Sequence, residues 1–229
     1  MKHIYKIRRT IAIIIALAAF SSVLYFHPEL QQPTYQTPVS TPTGEAAEVL
    51  QSLEVKGRAP KTNYSRDQFG GGWATSNGCD TRNIILARDL KDDAVNEKCQ
   101  VTSGVLDDVY TGKVIDFRRG ADTSDDIQID HVVALSDAWQ KGAQQLSPIE
   151  REALANDPLE LIAVDGEANQ QKSDGDAATW LPPNKPFRCQ YVARQIAVKK
   201  KYRLWVTAAE KNAMEAVLSG CGGQKLPSA

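Results

Sequence analysis

Asp130 and His131 adjoin in the run "IQIDHVVALSDAW" (residues 127–139), and Asn169 and Lys172 follow in "GEANQQKS" (166–173). An imidazole with an ordinary pKa of about 6.5 is mostly neutral at pH 7 and can take a proton from water. A carboxylate and a carboxamide offer hard oxygen ligands in small number, which suits Mg²⁺, a cation that keeps several of its waters; Mn²⁺ is the second choice. A base that frees a proton from water beside a cation that neutralises a phosphate is machinery for phosphodiester hydrolysis. On this reading His131 is the general base, and Asp130 and Asn169 are the ligands of the divalent metal. Lys172, one turn after Asn169, would reach the scissile phosphate. A lone strand histidine is more often simply packed and hydrogen-bonded. The preceding Asp and the downstream Asn-x-x-Lys add weight to the chemical reading.

These residues need a strand, a second strand and a short helix to bring them together. "DIQIDHVVAL" (126–135) alternates as a strand, with Ile127, Ile129 and His131 on one face and Gln128 and Asp130 on the other. Asp130 and His131 can therefore serve one site only if the strand ends there and bends. "LELIAV" (159–164) reads as the second strand, and Asp165 caps the helix that carries Asn169, which Gly175 ends. Upstream, 45–58 has helical spacing, Asn77-Gly78 is a turn signal, and Asp80 or Thr81 caps a helix through 90. "QVTSGVL" and "GKVIDF" form a β-hairpin. Ser136 caps a following helix, Ser147-Pro148 with Glu150 opens another, and Thr207 with Glu210 is a capping box over the last one, closed by Gly220.

The N-terminal segment pairs Lys2, Lys6, Arg8 and Arg9 with 16 uncharged residues, 11–26. Residues 1–27 therefore read as a cleaved secretory signal or as a retained membrane anchor, and either one exports the rest. Residues 28–59 are a Pro- and Thr-rich spacer with a leading helix, 60–222 is one domain, and 223–229 is a flexible tail. Four cysteines without a C-x-x-C pair in an exported chain favour disulfides over zinc. Cys79–Cys99 and Cys189–Cys221 are the expected pairs, because each closes a local loop. The chain has 27 basic and 28 acidic residues; without the four basic residues of the leader the balance is 23 to 28, or −5. That excludes a protein that coats nucleic acid by bulk charge, so a polyanion would need local cations or a metal.

The segments "CDTRNIILARDL", "IDHVVALSDAWQKGA", "ANDPLELIAVDGEANQQKSDGDAATWLPP" and "CQYVARQIAVKKKYRL" resemble the HNH, or His-Me finger, nucleases. Within these they resemble the exported bacterial group related to the C-terminal part of GmrSD-type restriction enzymes. The likeness spans about 64–206. It implies an α+β fold with a ββα-metal core, a small antiparallel sheet and helical flanks. It also implies Asp130 as metal ligand, His131 as base and Asn169 as second ligand, with cleavage that leaves a 5′-phosphate. The family's central Asn, which orients the base, falls at Glu160, and Ala134 stands where proline is common. Arg82 and Arg88 lie in a family-like segment and become phosphate-binding candidates. The basic cluster Lys199–Arg203 is a weaker candidate for contact with a duplex.

The expectation is a monomeric, extracellular endonuclease acting on nucleic acid, with DNA as the expected substrate. An immunity or inhibitor partner is not legible. Two rivals stand: a catalytically degenerate HNH-fold binding module tethered to the envelope, and an ester or peptide hydrolase using Ser136 with His131. The second lacks a G-x-S-x-G elbow.

Overall fold

The computed structural model divides into two units, residues 1–39 and 40–229. In the first it describes only Ile11, 13–17 and Tyr25, all helical; in the second it describes 41–227. Most of the expected signal or anchor, and residues 28–40 of the spacer, lie outside the described residues. Among those described, no helix is long and apolar enough to cross a membrane.

The second unit begins earlier than the sequence suggests. Helix α1, Glu45–Ser52, buries Ala46, Ala47 and Leu50 in the main core, so it belongs to the domain and not to a spacer. The expected free tail is also engaged. Gln224 O accepts from Ala46 N at 3.0 Å, and Leu226 N donates to Glu45 at 3.1 Å.

Strands β1 (Thr75–Ser76) and β2 (Cys79–Asp80) pair across Asn77 and Gly78, both at positive φ, as a two-residue hairpin turn requires. Helix α2 is Thr81–Asp89, with the Asp80 carboxylate accepting from Asn83 N as cap. A three-stranded antiparallel sheet follows: β3 (Lys91–Val95), β4 (Val101–Asp107) and β5 (Val114–Arg118). The β4–β5 hairpin is as expected. β3 is an addition: its five residues are all exposed and charged or small, so no apolar alternation announces it.

Strands β6 (Ile127–His131) and β7 (Leu161–Asp165) pair antiparallel, with Ile129 opposite Ala163 and His131 opposite Leu161. Between them lie α3 (Leu135–Gln140) and α4 (Pro148–Ala155). α4 starts with the full Ser147–Glu150 capping box. α3 starts one residue before Ser136, which lies inside the helix and caps nothing. β7 runs directly into α5 (Gly166–Lys172), and the Asp165 carboxylate accepts from Ala168 N at 2.8 Å. This helix stops at Lys172, before Gly175. Helices α6 (Arg188–Lys201) and α7 (Ala208–Leu218) complete the unit; Thr207 and Glu210 form the capping box of α7. Gly220 lacks the left-handed φ of a helix-ending glycine, a conformation that Gly222 and Gly223 adopt instead.

Two cores sandwich the β6–β7 pair. Ile127, Ile129, Leu161 and Ala163 pack with Ile85, Leu86, Val101 and Phe117 on one face. On the other, Ile162, Val164 and Ala168 join the larger core of α1, α3, α4, α6 and α7. Burial on both faces fixes the register, since a one-residue slip would turn Asp130 into an apolar layer. Both disulfides, Cys79–Cys99 and Cys189–Cys221, are formed as expected.

The junction of β7 and α5 is tight. A Cβ on Gly166 would lie 2.1 Å from the Asp125 carbonyl oxygen, and Gly166 N donates to Asp126 O at 2.9 Å. Gly166→Ala should therefore cost about 1–3 kcal/mol by overpacking, read from urea denaturation. An unchanged midpoint would show that the junction yields.

Candidate active site

His131 ends β6, fully buried, with its Nε2 2.9 Å from the carbonyl oxygen of Ala155 at the end of α4. A carbonyl only accepts, so Nε2 carries the proton and Nδ1 keeps the free lone pair. The indole of Trp73 stacks on the imidazole, with centroids 5.7 Å apart and planes within 4°. Burial lowers the ring's pKa from 6.5 to about 3, against the pull of the Ala155 carbonyl, so the imidazole is neutral.

Asp130, on the opposite side of the strand, is held from two directions. Lys172 Nζ reaches its Oδ1 at 2.9 Å and also donates to the His131 carbonyl at 2.8 Å. The phenol of Tyr110 donates to Oδ2. Burial pushes the Asp130 carboxyl above the usual carboxylate range, and Lys172 and Tyr110 oppose that push. Asn169 Nδ2 donates to Gln128 Oε1 at 2.9 Å, which leaves its amide oxygen free to accept.

Asp130, His131 and Asn169 line one polar cavity of about 260 Å³, together with Arg66, Ser136 and Asp174. The bend expected at the strand end is present: the strand stops at His131, and Val132 and Val133 turn away into the core. A second cavity of about 230 Å³ opens on the other side of the imidazole, lined by Arg66, Gly70, Gly71, Gly72, Trp73 and Ala155. The base thus sits between two hollows.

The donor set facing the polar cavity is made of oxygen atoms: the Asp130 carboxylate, the Asn169 amide and the Asp174 carboxylate. Among the described residues no group of three His, Cys, Asp or Glu converges. The fit is therefore to a hard divalent cation that keeps several waters, and not to a closed thiolate or imidazole cage. Lys172 shares Asp130, but each carboxylate oxygen has a second lone pair, so the ammonium does not use up the ligand.

Four expected roles fall elsewhere. Lys172 is buried and spent on Asp130, so it cannot meet a substrate phosphate from the surface. Arg82 donates to the carbonyls of Ser124 and Ile127, where the chain enters β6. Arg88 pairs with Asp89 and donates to Pro158 O and Leu161 O. With Asp89, which accepts from Ala163 N, it satisfies the open edge of β7, groups that would otherwise lack partners. Glu160 does not touch the imidazole; its buried carboxylate accepts from Val133 N at 3.2 Å, fixing the turn after His131, and burial raises its pKa well above the ordinary value. The Ala155 carbonyl orients the base instead.

The Lys199–Arg203 cluster is paired at three of its four cations, while Lys200 is exposed and donates to Ser52 Oγ at 3.3 Å. Lys199 is buried on Glu210, Lys201 pairs with Asp157, and Arg203 pairs with Glu150. Ser136 is buried too, and the hydrogen bond of the imidazole goes to the Ala155 carbonyl and not to Ser136. Tyr110, Trp73, Gln128 and Arg66 are site residues that sequence reasoning missed. Only Trp73, directly after three glycines, carried a signal.

Two outcomes follow. Lys172→Ala leaves Asp130 buried without its cation and should cost about 3–5 kcal/mol in chemical denaturation; a loss below 1 kcal/mol would show the pair to be dispensable. The unfolded His131 binds its proton near 6.5 and the folded one near 3. Between those values the unfolded state holds more protons, so stability falls as pH drops through that window. In metal-free buffer the denaturation midpoint should fall between pH 7 and pH 5, and His131→Gln should flatten that fall. Equal pH dependence in both proteins would overturn it.

Residues 80–217 match the family described as GmrSD restriction endonucleases, C-terminal domain. An uncharacterized secreted protein of Arthroderma benhamiae is 36% identical over 209 residues, covering 90% of this chain and 98% of its own length. No solved structure matches. The strand–strand–helix unit of β6, β7 and α5 falls inside the matched span, and the chain belongs to the GmrSD restriction endonuclease C-terminal domain family.

Proposed function

We infer that this chain is an exported, metal-dependent endonuclease of the HNH type, cutting phosphodiester bonds in nucleic acid, with DNA as the substrate. The observation that carries this reading is the tautomer of His131: Nε2 is fixed on a main-chain carbonyl, so Nδ1 keeps the free lone pair in a residue that lines a cavity with Asp130 and Asn169. The β6–β7–α5 unit is read as a ββα-metal core. Export is supported by the basic-then-apolar leader and by the secreted relative.

In the proposed reaction His131 Nδ1 takes a proton from the attacking water as its oxygen meets phosphorus. Trp73 covers one face of the ring and restricts its rotation. Asp130 and Asn169 would hold the divalent cation, Mg²⁺ or Mn²⁺, which supplies neutralisation of the phosphate and of the leaving oxygen when bound. Lys172 holds Asp130 in place from below. The product expected from the family likeness carries a 5′-phosphate.

A tethered, inactive binding module remains the rival, supported by the −5 balance without the leader and by Glu160 at the family's Asn position. Purified protein incubated with supercoiled plasmid and Mg²⁺ or Mn²⁺ separates the two. Cleavage should be abolished by chelator and reduced about 10²–10⁴-fold in His131→Ala. Equal DNA survival with wild type and His131→Ala would retire the enzyme. Parallel incubation with single- and double-stranded DNA and RNA identifies the preferred substrate.

A further inference from the structure

Arg66 lines both hollows that meet at His131. Its side chain is exposed and, among the described residues, makes no ion pair or hydrogen bond. Most of the other arginines are engaged. Arg58, Arg88 and Arg203 pair with carboxylates, while Arg82, Arg119, Arg151, Arg188 and Arg194 donate to carbonyls. An unpaired guanidinium beside a buried neutral base, in a chain whose net charge is negative, is a local cation of the kind that a polyanion would need.

The segment around it is built to hold still at its ends and to stay open in its middle. Arg66 begins a short 3-10 turn, Arg66–Phe69, whose Phe69 ring packs edge-on against Tyr64 and Trp139. Arg151 grips Gln68 through its main-chain oxygen at 2.7 Å. At the far end Ala74 N donates to Asn156 Oδ1 at 2.8 Å. Between these anchors run Gly70, Gly71 and Gly72, with φ of +99° and +122° at the first and last. A Cβ at Gly71 or Gly72 would meet nothing within 4 Å, so this stretch is bare backbone facing open space. Trp73 then lays its ring on His131.

We propose that Arg66 binds the phosphate of the substrate strand at His131, with the bare Gly71–Gly72 backbone as the wall along which that strand passes. This rests on the nuclease reading above and assigns the phosphate contact that Lys172, Arg82 and Arg88 cannot make. A guanidinium presents a planar fork that matches two phosphate oxygens, whereas a lysine offers a single point charge. Arg66 therefore binds substrate, and Trp73 is a positioning residue for the base.

The test uses the full chain in two assays. In cleavage, Arg66→Ala should lower kcat/KM at least roughly tenfold with an unchanged melting temperature, and Arg66→Lys should recover part of the loss. Arg118→Ala removes an equally exposed arginine from β5 and should leave cleavage unchanged. In binding, a labelled DNA oligonucleotide is titrated in chelator with His131→Ala and with the His131→Ala, Arg66→Ala double variant. The double variant should bind about tenfold more weakly, with the slope of log affinity against log salt smaller by about one. Cleavage by wild type and by Arg66→Ala at equal rates overturns the Arg66 assignment and leaves the nuclease standing. If wild type does not cut, the nuclease reading falls and the binding assay alone decides: a weaker, less salt-dependent double variant upholds the Arg66 contact, and equal curves overturn it.

Discussion

One buried ammonium organises the site. Lys172, at the last position of α5, bonds both the side chain of Asp130 and the main chain of His131. It thereby ties the helix that carries Asn169 to the tip of the strand that carries the base. Taking two charges out of water is expensive, and the interaction is worthwhile only when every remaining donor and acceptor is satisfied. Here Tyr110 takes the second carboxylate oxygen and the His131 carbonyl takes a further lysine proton, so each Asp130 oxygen has one partner and keeps a second lone pair. The same contacts leave the imidazole's own geometry to a different group.

A second buried charge cluster braces the frame around this site. Lys141 bonds Asp137, Asp176 and Glu210 at 2.7–2.8 Å, Lys199 joins Glu210 at 3.0 Å, and Arg58 closes the set on Asp137 and Asp176. Three cations thus meet three carboxylates, which balances the charge within the cluster. The members come from the segment after α1, α3 and its C-cap, the loop after α5, α6 and the first turn of α7. The consequence is that the C-terminal helices are pinned to the segment just beyond Asn169 by directional contacts and not by apolar packing alone. Trp139 and Tyr191 fill the space between with aromatic edges.

Much of this was legible in the sequence because local chemistry decides it. The capping residues Asp80, Ser147, Asp165 and Thr207, the Asn77-Gly78 turn, the β4–β5 hairpin and both disulfides each depend on neighbours close along the chain. So does the strand–strand–helix order that brings Asp130, His131 and Asn169 to one cavity. What escaped is long-range. The exposed charged strand β3 has no apolar period, and the docking of α1 depends on its packing against α6 and α7, far along the chain. The fates of Lys172, Arg82 and Arg88 were hidden for the same reason: a cation's sequence neighbourhood does not say whether a buried carboxylate or an open strand edge will claim it. Trp73 and Arg66 were missed because they lie in a glycine-rich loop, where periodicity carries no information.

The family likeness expects an asparagine where Glu160 stands, and in the structure a main-chain atom, not that side chain, meets the imidazole. The proton-bearing nitrogen of His131 rests on the backbone oxygen of residue 155, an atom that every amino acid at that position supplies. Drift in sequence can alter the side chains around the ring, yet it cannot delete that partner without unwinding the end of α4. The reactive tautomer is thus inherited with the path of the main chain, and is buffered against mutation in a way that a side-chain-held base would not be.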